Sequence, residues 1–194
     1  MKMSESIEIE YKTMLTQQEY LQLMTHYQLT SSHLVTQTNL YFDTSDYQLK
    51  EKNMGLRIRY FDSDAEATLK IPQQVGLLEV TDRIELSEAK KALETDQFPE
   101  SAQQISSVLS KEEISTEFLG LIGRLVTKRA EIIISEGKLA LDENWYRNQH
   151  DFELELEVQD SGRKETDFFA LLNQFNIPYR PAENKIVRAV NIRK

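Results

Sequence analysis

The chain has 194 residues, 40% of them hydrophobic and 28% charged, enough for one sizeable core and short of two full domains. A net charge of −9 argues against a protein that coats nucleic-acid duplexes, and no apolar run approaches the about 18 residues that span a bilayer. The absence of cysteine excludes a disulfide scaffold, a thiolate metal site and a Cys nucleophile, and suits a reducing cytoplasm.

Residues 1–10 carry one lysine and three glutamates without an apolar block, so they do not read as a secretory signal. From residue 6 to 15 the chain alternates, with Ile7, Ile9 and Tyr11 on one face and Glu8, Glu10 and Lys12 on the other, which predicts a strand. Thr16 to Glu19 has the spacing of a capping box, which predicts a helix over 17–29. Strands are predicted at 34–42, 54–62, 65–71 and 77–86. Residues 87–123 read as helical, with turns near Pro99 and Ser110. A hairpin across Glu136-Gly137 joins predicted strands 125–135 and 138–146, and a further alternating strand covers 152–158. Helices are expected at 165–175 and 182–190. Six glycines and four prolines stand singly between these segments, so one domain spanning 1–194 is expected. Short connections favour antiparallel pairing. Eight such strands predict an α+β fold: an eight-stranded antiparallel closed or nearly closed β-barrel with helices packed outside.

The polar strand faces are segregated by sign. Glu8 and Glu10 lie on the first strand, and Glu153, Glu155 and Glu157 on the 152–158 strand. Like charges at i and i+2 sit roughly 7 Å apart on one face and repel. Folding does not require such ladders, but a hard divalent cation does, because Mg²⁺ or Mn²⁺ takes oxygen ligands. Basic residues are distributed similarly: Arg57 and Arg59 at i and i+2, Lys70, Arg83 and Arg129 on other strands, Lys185 and Arg188 on the last helix. Arginine grips phosphate oxygens bidentately and lysine acts as a point charge. Charges on a single strand usually mark a solvent face. Recurrence over several strands, with helices enough to cover the apolar faces, favours a charged interior that binds metal and polyphosphate.

These residues resemble the CYTH, or triphosphate tunnel, family. Glu8-Ile9-Glu10-Tyr11-Lys12 is similar to its opening ExExK signature, and Tyr41-Phe42-Asp43-Thr44 to its YFDT strand. Leu56 to Arg59 resembles LRxR, Thr68-Leu69-Lys70 resembles TLK, and Thr127-Lys128-Arg129 resembles TxR. Leu141-Asp142, Glu153 to Glu157 and Asn184 to Arg188 resemble the LD, ExExE and SKxxR elements, with Asn184 in place of serine. The resemblance covers nearly the whole chain and is closest to short bacterial triphosphatase-like members. It implies an eight-stranded tunnel, Mg²⁺ or Mn²⁺ dependence and a small-molecule triphosphate substrate. It also implies that Glu8, Glu10, Glu153, Glu155, Glu157 and Asp142 serve the metal. Lys12, Arg57, Arg59, Lys70, Arg129 and Lys185 would then hold phosphates, with Arg83 and Arg188 as further cations. The catalytic set is expected among Glu8, Glu10, Lys12, Glu155 and Glu157; which two of Glu153, Glu155 and Glu157 are primary stays open.

The expected activity is hydrolysis of inorganic tripolyphosphate, or of a nucleoside or thiamine triphosphate, by in-line water attack. The alternatives are an adenylate cyclase acting through the same site and a non-catalytic polyphosphate- or nucleotide-binding module. No membrane or duplex partner is expected, and the protein is expected as a monomer or homodimer. His26, His33 and His150 share no ligand spacing and read as packing or surface residues. Trp145 and Tyr146 read as packing at a strand end rather than a base-stacking platform.

Overall fold

The structure, a computed structural model, describes residues 4–158 and 165–190, with side chains from residue 9 onward. Its elements in chain order are β1 (Ser4–Leu15), α1 (Gln17–His26), β2 (Val35–Thr44), α2 (Gln48–Glu51), β3 (Gly55–Tyr60), β4 (Ala65–Pro72) and β5 (Leu77–Ile84). There follow α3 (Leu86–Thr95), α4 (Gln103–Lys111), β6 (Leu119–Ile134), β7 (Gly137–Tyr146), β8 (Gln149–Val158), α5 (Glu165–Gln174) and α6 (Lys185–Ala189). The strand order is β1-β5-β4-β3-β2-β6-β7-β8, closing as a barrel. This is the predicted eight-stranded antiparallel α+β fold. No described helix is long and apolar enough to cross a membrane.

The chain divides into two compact units. One comprises, of the described residues, 4–7, 37–125 and 185–190. In it β2, β3, β4 and β5 pair as an antiparallel meander. Leu40, Phe42, Leu56, Ile58, Leu69 and Val80 project to one face and pack with Ala89 and Ala92 of α3 and Ile105 and Leu109 of α4. Each such side chain, fully buried, contributes about 1.5–3 kcal/mol. Two aspartates fasten helices to this meander. Asp43 accepts the N–H groups of Thr44, Leu49 and Lys50 at 2.8–3.1 Å and so caps α2. Asp82 accepts the Ile105 N–H at 2.9 Å near the start of α4, whose early turns leave N–H groups without helical partners.

The other unit comprises, of the described residues, 8–36, 126–158 and 165–184. There β6, β7, β8 and β1 pair antiparallel. Leu139, Leu141, Leu154, Leu156 and Val158 pack with Leu23 and Met24 of α1 and with Phe168, Leu171 and Leu172 of α5. The predicted capping box forms: Glu19 N–H donates to Thr16 Oγ1 at 3.3 Å, and Thr16 N–H donates to Glu19 Oε2 at 2.7 Å. Arg180 then grips both Glu19 oxygens at 2.9 and 3.0 Å. Burial alone would raise the Glu19 carboxyl, but the hydrogen bonds from Arg180 and Thr16 hold it below its usual value. In each unit the helices cover the apolar strand face, so the charged face is the one left uncovered by helices.

The structure departs from the predicted elements in one substantial place. Residues 119–123 belong to β6, a strand of 16 residues, rather than to a helix reaching 123. Helical periodicity there was mimicked by Leu119, Leu121 and Ile122, but Gly120 bridges Gln97 and Gly123 bridges Val190. A Cβ at Gly123 would lie 2.9 Å from the Ala189 carbonyl carbon and oxygen, so only glycine lets the end of α6 approach the strand this closely. Smaller differences are that β8 begins at Gln149 and that α6 is confined to Lys185–Ala189.

Candidate active site

Alternation along β7 and β8 places Asp142 opposite Glu153, and Ala140 opposite Glu155. Among the described residues, Asp142, Glu153 and Glu155 bring carboxylate oxygens within 4.8 Å of one another. All three are buried, at 0%, 0% and 8% exposure. Arg129 on β6, in register with Asp142, donates from Nε at 2.7 Å and from Nη2 at 2.6 Å to the two Asp142 oxygens. Its Nη2 also donates to Glu155. Burial opposes the Arg129 charge, but Asp142 and Glu155 outweigh that and raise its basicity further. Arg129 also pairs with Glu131 at 3.4 Å, so one guanidinium is shared among several carboxylates. The donor set is oxygen only, which suits a hard ion such as Mg²⁺ or Mn²⁺.

The other predicted acids in this unit are arranged differently. Glu10 and Glu157 face each other in register, but Glu10 pairs with Lys12 at 3.3 Å and Glu157 with Lys138. Burial would lower the Lys138 ammonium; its hydrogen bond to Glu157 and the Glu131 charge raise it instead. Lys12 Nζ donates to Asn184 Oδ1 at 2.6 Å, which gives the residue standing in place of serine a defined role. The Glu8 side chain lies outside the described ones.

In the other unit the same alternation puts Gln37, Asn39 and Tyr41 of β2 on the face of Arg57 and Arg59, with Tyr41 opposite Arg57 and Asn39 opposite Arg59. Burial raises the Tyr41 hydroxyl, and the charges of Arg57, Lys185, Arg59 and Arg188 oppose that rise. Four predicted phosphate-binding cations thus gather about one tyrosine. Arg188 is itself buried. Lys70 pairs with Glu79 at 2.9 Å. Arg83 is exposed and lies opposite Glu66 rather than in the Tyr41 group. Gln37 Nε2, Asn39 Nδ2 and Arg57 Nε are buried with no hydrogen-bond partner, and all three are donors.

Gln37, Asn39, Tyr41 and Lys138 were not among the predicted site residues. For the three on β2 the signal was present: polar residues recur at every second position from Gln37 in a strand buried from Gln37 to Thr44. Trp145 stacks on His150 at 5.0 Å between ring centres and has Lys128 over its ring at 5.3 Å. His150 bonds Glu143 at 2.9 Å, and His26 packs edge-on against Phe175.

The family model for the CYTH domain matches residues 6–190. The chain belongs to the CYTH domain family. One CYTH relative, named "Putative triphosphatase YjbK", from Bacillus subtilis (strain 168), is 40% identical over 186 residues, 96% of this chain and 95% of its own length. A crystal structure of a "putative adenylate cyclase" from Bacillus halodurans is 36% identical, with a TM-score of 0.88 over 96% of this chain and 98% of that one. The Hippeastrum protein HpAC1, at 20% identity and a TM-score of 0.70 over 93% of this chain and 94% of that one, shares the fold.

Proposed function

We propose that this CYTH protein is a divalent-metal-dependent triphosphatase that hydrolyses inorganic tripolyphosphate in preference to nucleoside or thiamine triphosphates. The observation that carries the reading is the buried Asp142–Glu153–Glu155 group, three carboxylates whose oxygens lie close enough together to hold one cation. Asp142, Glu153 and Glu155 would hold the ion, with Glu10 and Glu157 as further carboxylates. A bound divalent ion supplies charge neutralisation at the terminal phosphate and acidifies water.

The remaining steps belong to the chain's own residues. Arg57, Arg59, Lys185 and Arg188 neutralise non-bridging phosphate oxygens, which lowers the repulsion a nucleophile meets at phosphorus. Lys12, held by Asn184, adds a point charge. Water attacks the terminal phosphorus in line, a carboxylate takes its proton, and the bond to the bridging oxygen breaks to release phosphate. The name of the 40% identical B. subtilis relative supports this reading.

Phosphate release measured with tripolyphosphate, ATP, GTP and thiamine triphosphate, with and without Mg²⁺ or Mn²⁺, tests the proposal. Release from tripolyphosphate that needs the metal is expected; no release from any substrate rejects it. The name of the B. halodurans protein favours a second reading, attack of the ribose 3′-oxygen on the α-phosphorus of ATP. Cyclic AMP as the product from ATP would establish that chemistry instead.

A further inference from the structure

We infer that Tyr41 is a ligand-binding residue: its hydroxyl donates to a terminal phosphoryl group seated on Arg57, and the Thr68–Thr81 hydroxyl pair completes the seat. The inference takes from the triphosphatase reading only the choice of a polyphosphate as the ligand.

The meander of β2, β3, β4 and β5 carries its polar side chains in rows that run from strand to strand. One row is Asn39, Arg59, Glu66 and Arg83, in which Arg59 Nη1 lies 4.0 Å from Glu66 Oε1. Another is Gly55, Lys70 and Glu79, closed by the Lys70–Glu79 pair at 2.9 Å. Each of these rows supplies a carboxylate to its own cation. The row between them is Tyr41, Arg57, Thr68 and Thr81, which holds one guanidinium, three hydroxyls and no carboxylate. Among the described residues Arg57 forms no ion pair, and its Nε is buried without a hydrogen-bond partner. The sheet thus offsets the charges of Arg59 and Lys70 from within their rows and leaves that of Arg57 for an anion from outside.

The hydroxyls on either side of Arg57 fit the same anion. Tyr41 is only 5% exposed, and its hydroxyl makes no hydrogen bond among the described residues. Buried tyrosine hydroxyls ordinarily have a partner. Burial keeps this one protonated at neutral pH against the charges of Arg57, Lys185, Arg59 and Arg188, so it is a donor. Thr68 Oγ1 and Thr81 Oγ1 lie 3.3 Å apart. Two hydroxyls carry two hydrogens and use one between them, so one is left to donate. Phenol, guanidinium and threonine are three donor groups in one row. A terminal phosphoryl group has three non-bridging oxygens to meet them; a phosphoryl group inside a chain or ring has two.

The test is calorimetric titration of the intact protein without metal, using linear tripolyphosphate and cyclic trimetaphosphate, which has no terminal phosphoryl group. Wild type is expected to bind the linear phosphate more tightly. Tyr41→Phe is expected to weaken tripolyphosphate binding about 10-fold, to leave its salt dependence unchanged because no charge is lost, and to alter trimetaphosphate binding less than two-fold. Once Arg57 is Gln, Tyr41→Phe is expected to cost less than two-fold, because the seat is already lost. The proposal is overturned if wild type does not bind tripolyphosphate, or if Tyr41→Phe binds it within two-fold of wild type. It is overturned equally if the cyclic phosphate loses as much as the linear one, or if the loss persists in the Arg57→Gln background; a merely structural tyrosine gives these last two results. Should Tyr41→Phe not fold, the double variant Thr68→Val with Thr81→Val decides by the same comparison of the two phosphates. Binding without hydrolysis by wild type would remove the triphosphatase reading and keep this one; hydrolysis by wild type with tripolyphosphate binding unchanged in Tyr41→Phe would do the reverse.

Discussion

At the scale of single residues, Arg129 and Asp142 define what the acidic group can tolerate. Arg129 is mostly buried and binds both oxygens of a carboxylate with no exposure of its own. Removing one partner of such a group leaves buried charge uncompensated, at a cost of about 3–5 kcal/mol. Arg129→Met should therefore lower the urea midpoint strongly. Added Mn²⁺ should recover part of the loss, since a cation can take over the neutralising role. A midpoint unchanged by the substitution, or a loss untouched by metal, would show that the group is not held together by charge balance.

At the scale of elements, two attachments make separate predictions. Glu19 closes the α1 cap and is gripped by Arg180. Its folded pKa lies below the usual 4.5. The sign follows: the unfolded chain takes up the proton first as pH falls, so this stability is complete above 4.5 and lost below it as the folded group protonates. Wild type and Glu19→Gln should differ most in urea midpoint at pH 6–7, and the difference should shrink as acid is added. The other attachment is the approach of α6 to β6. Gly123→Ala drives a methyl against the Ala189 backbone, 2.9 Å away, and must displace the end of the helix that carries Lys185 and Arg188. KM for tripolyphosphate should rise while the metal requirement stays as it was, because the acidic group belongs to other strands. Equal KM values would place those two cations outside substrate binding.

At the scale of the whole molecule, the proposed function asks a protein of charge −9 to hold its cations locally, and a metal ion that binds only the folded chain would stabilise it. Metal at about 100 times its dissociation constant adds about 2.7 kcal/mol. For a chain of this length that corresponds to about 5–10 °C in Tm. Mn²⁺ or Mg²⁺ should produce such a shift, and Glu153→Gln should abolish most of it. Scanning fluorimetry with a chelator control reads both; equal shifts in wild type and variant would remove Glu153 from the metal site.

The alternation of Glu153, Glu155 and Glu157, the Arg57–Arg59 pair and the Thr16–Glu19 box could all be read without coordinates, because strand and cap geometry depend on spacing of two or three residues. The same spacing misread 119–123, where apolar residues suit a strand or a helix equally and Gly123 counts only beside Ala189. Periodicity tells which residues share a face, not what stands across from it. Pairing of β7 with β8 selected Asp142, Glu153 and Glu155 as one group and left Glu157 to Lys138. Pairing of β2 with β3 brought Asn39 to Arg59. Register between strands distant in the chain depends on how turns and packed cores align them, and that information is carried by no local stretch of sequence.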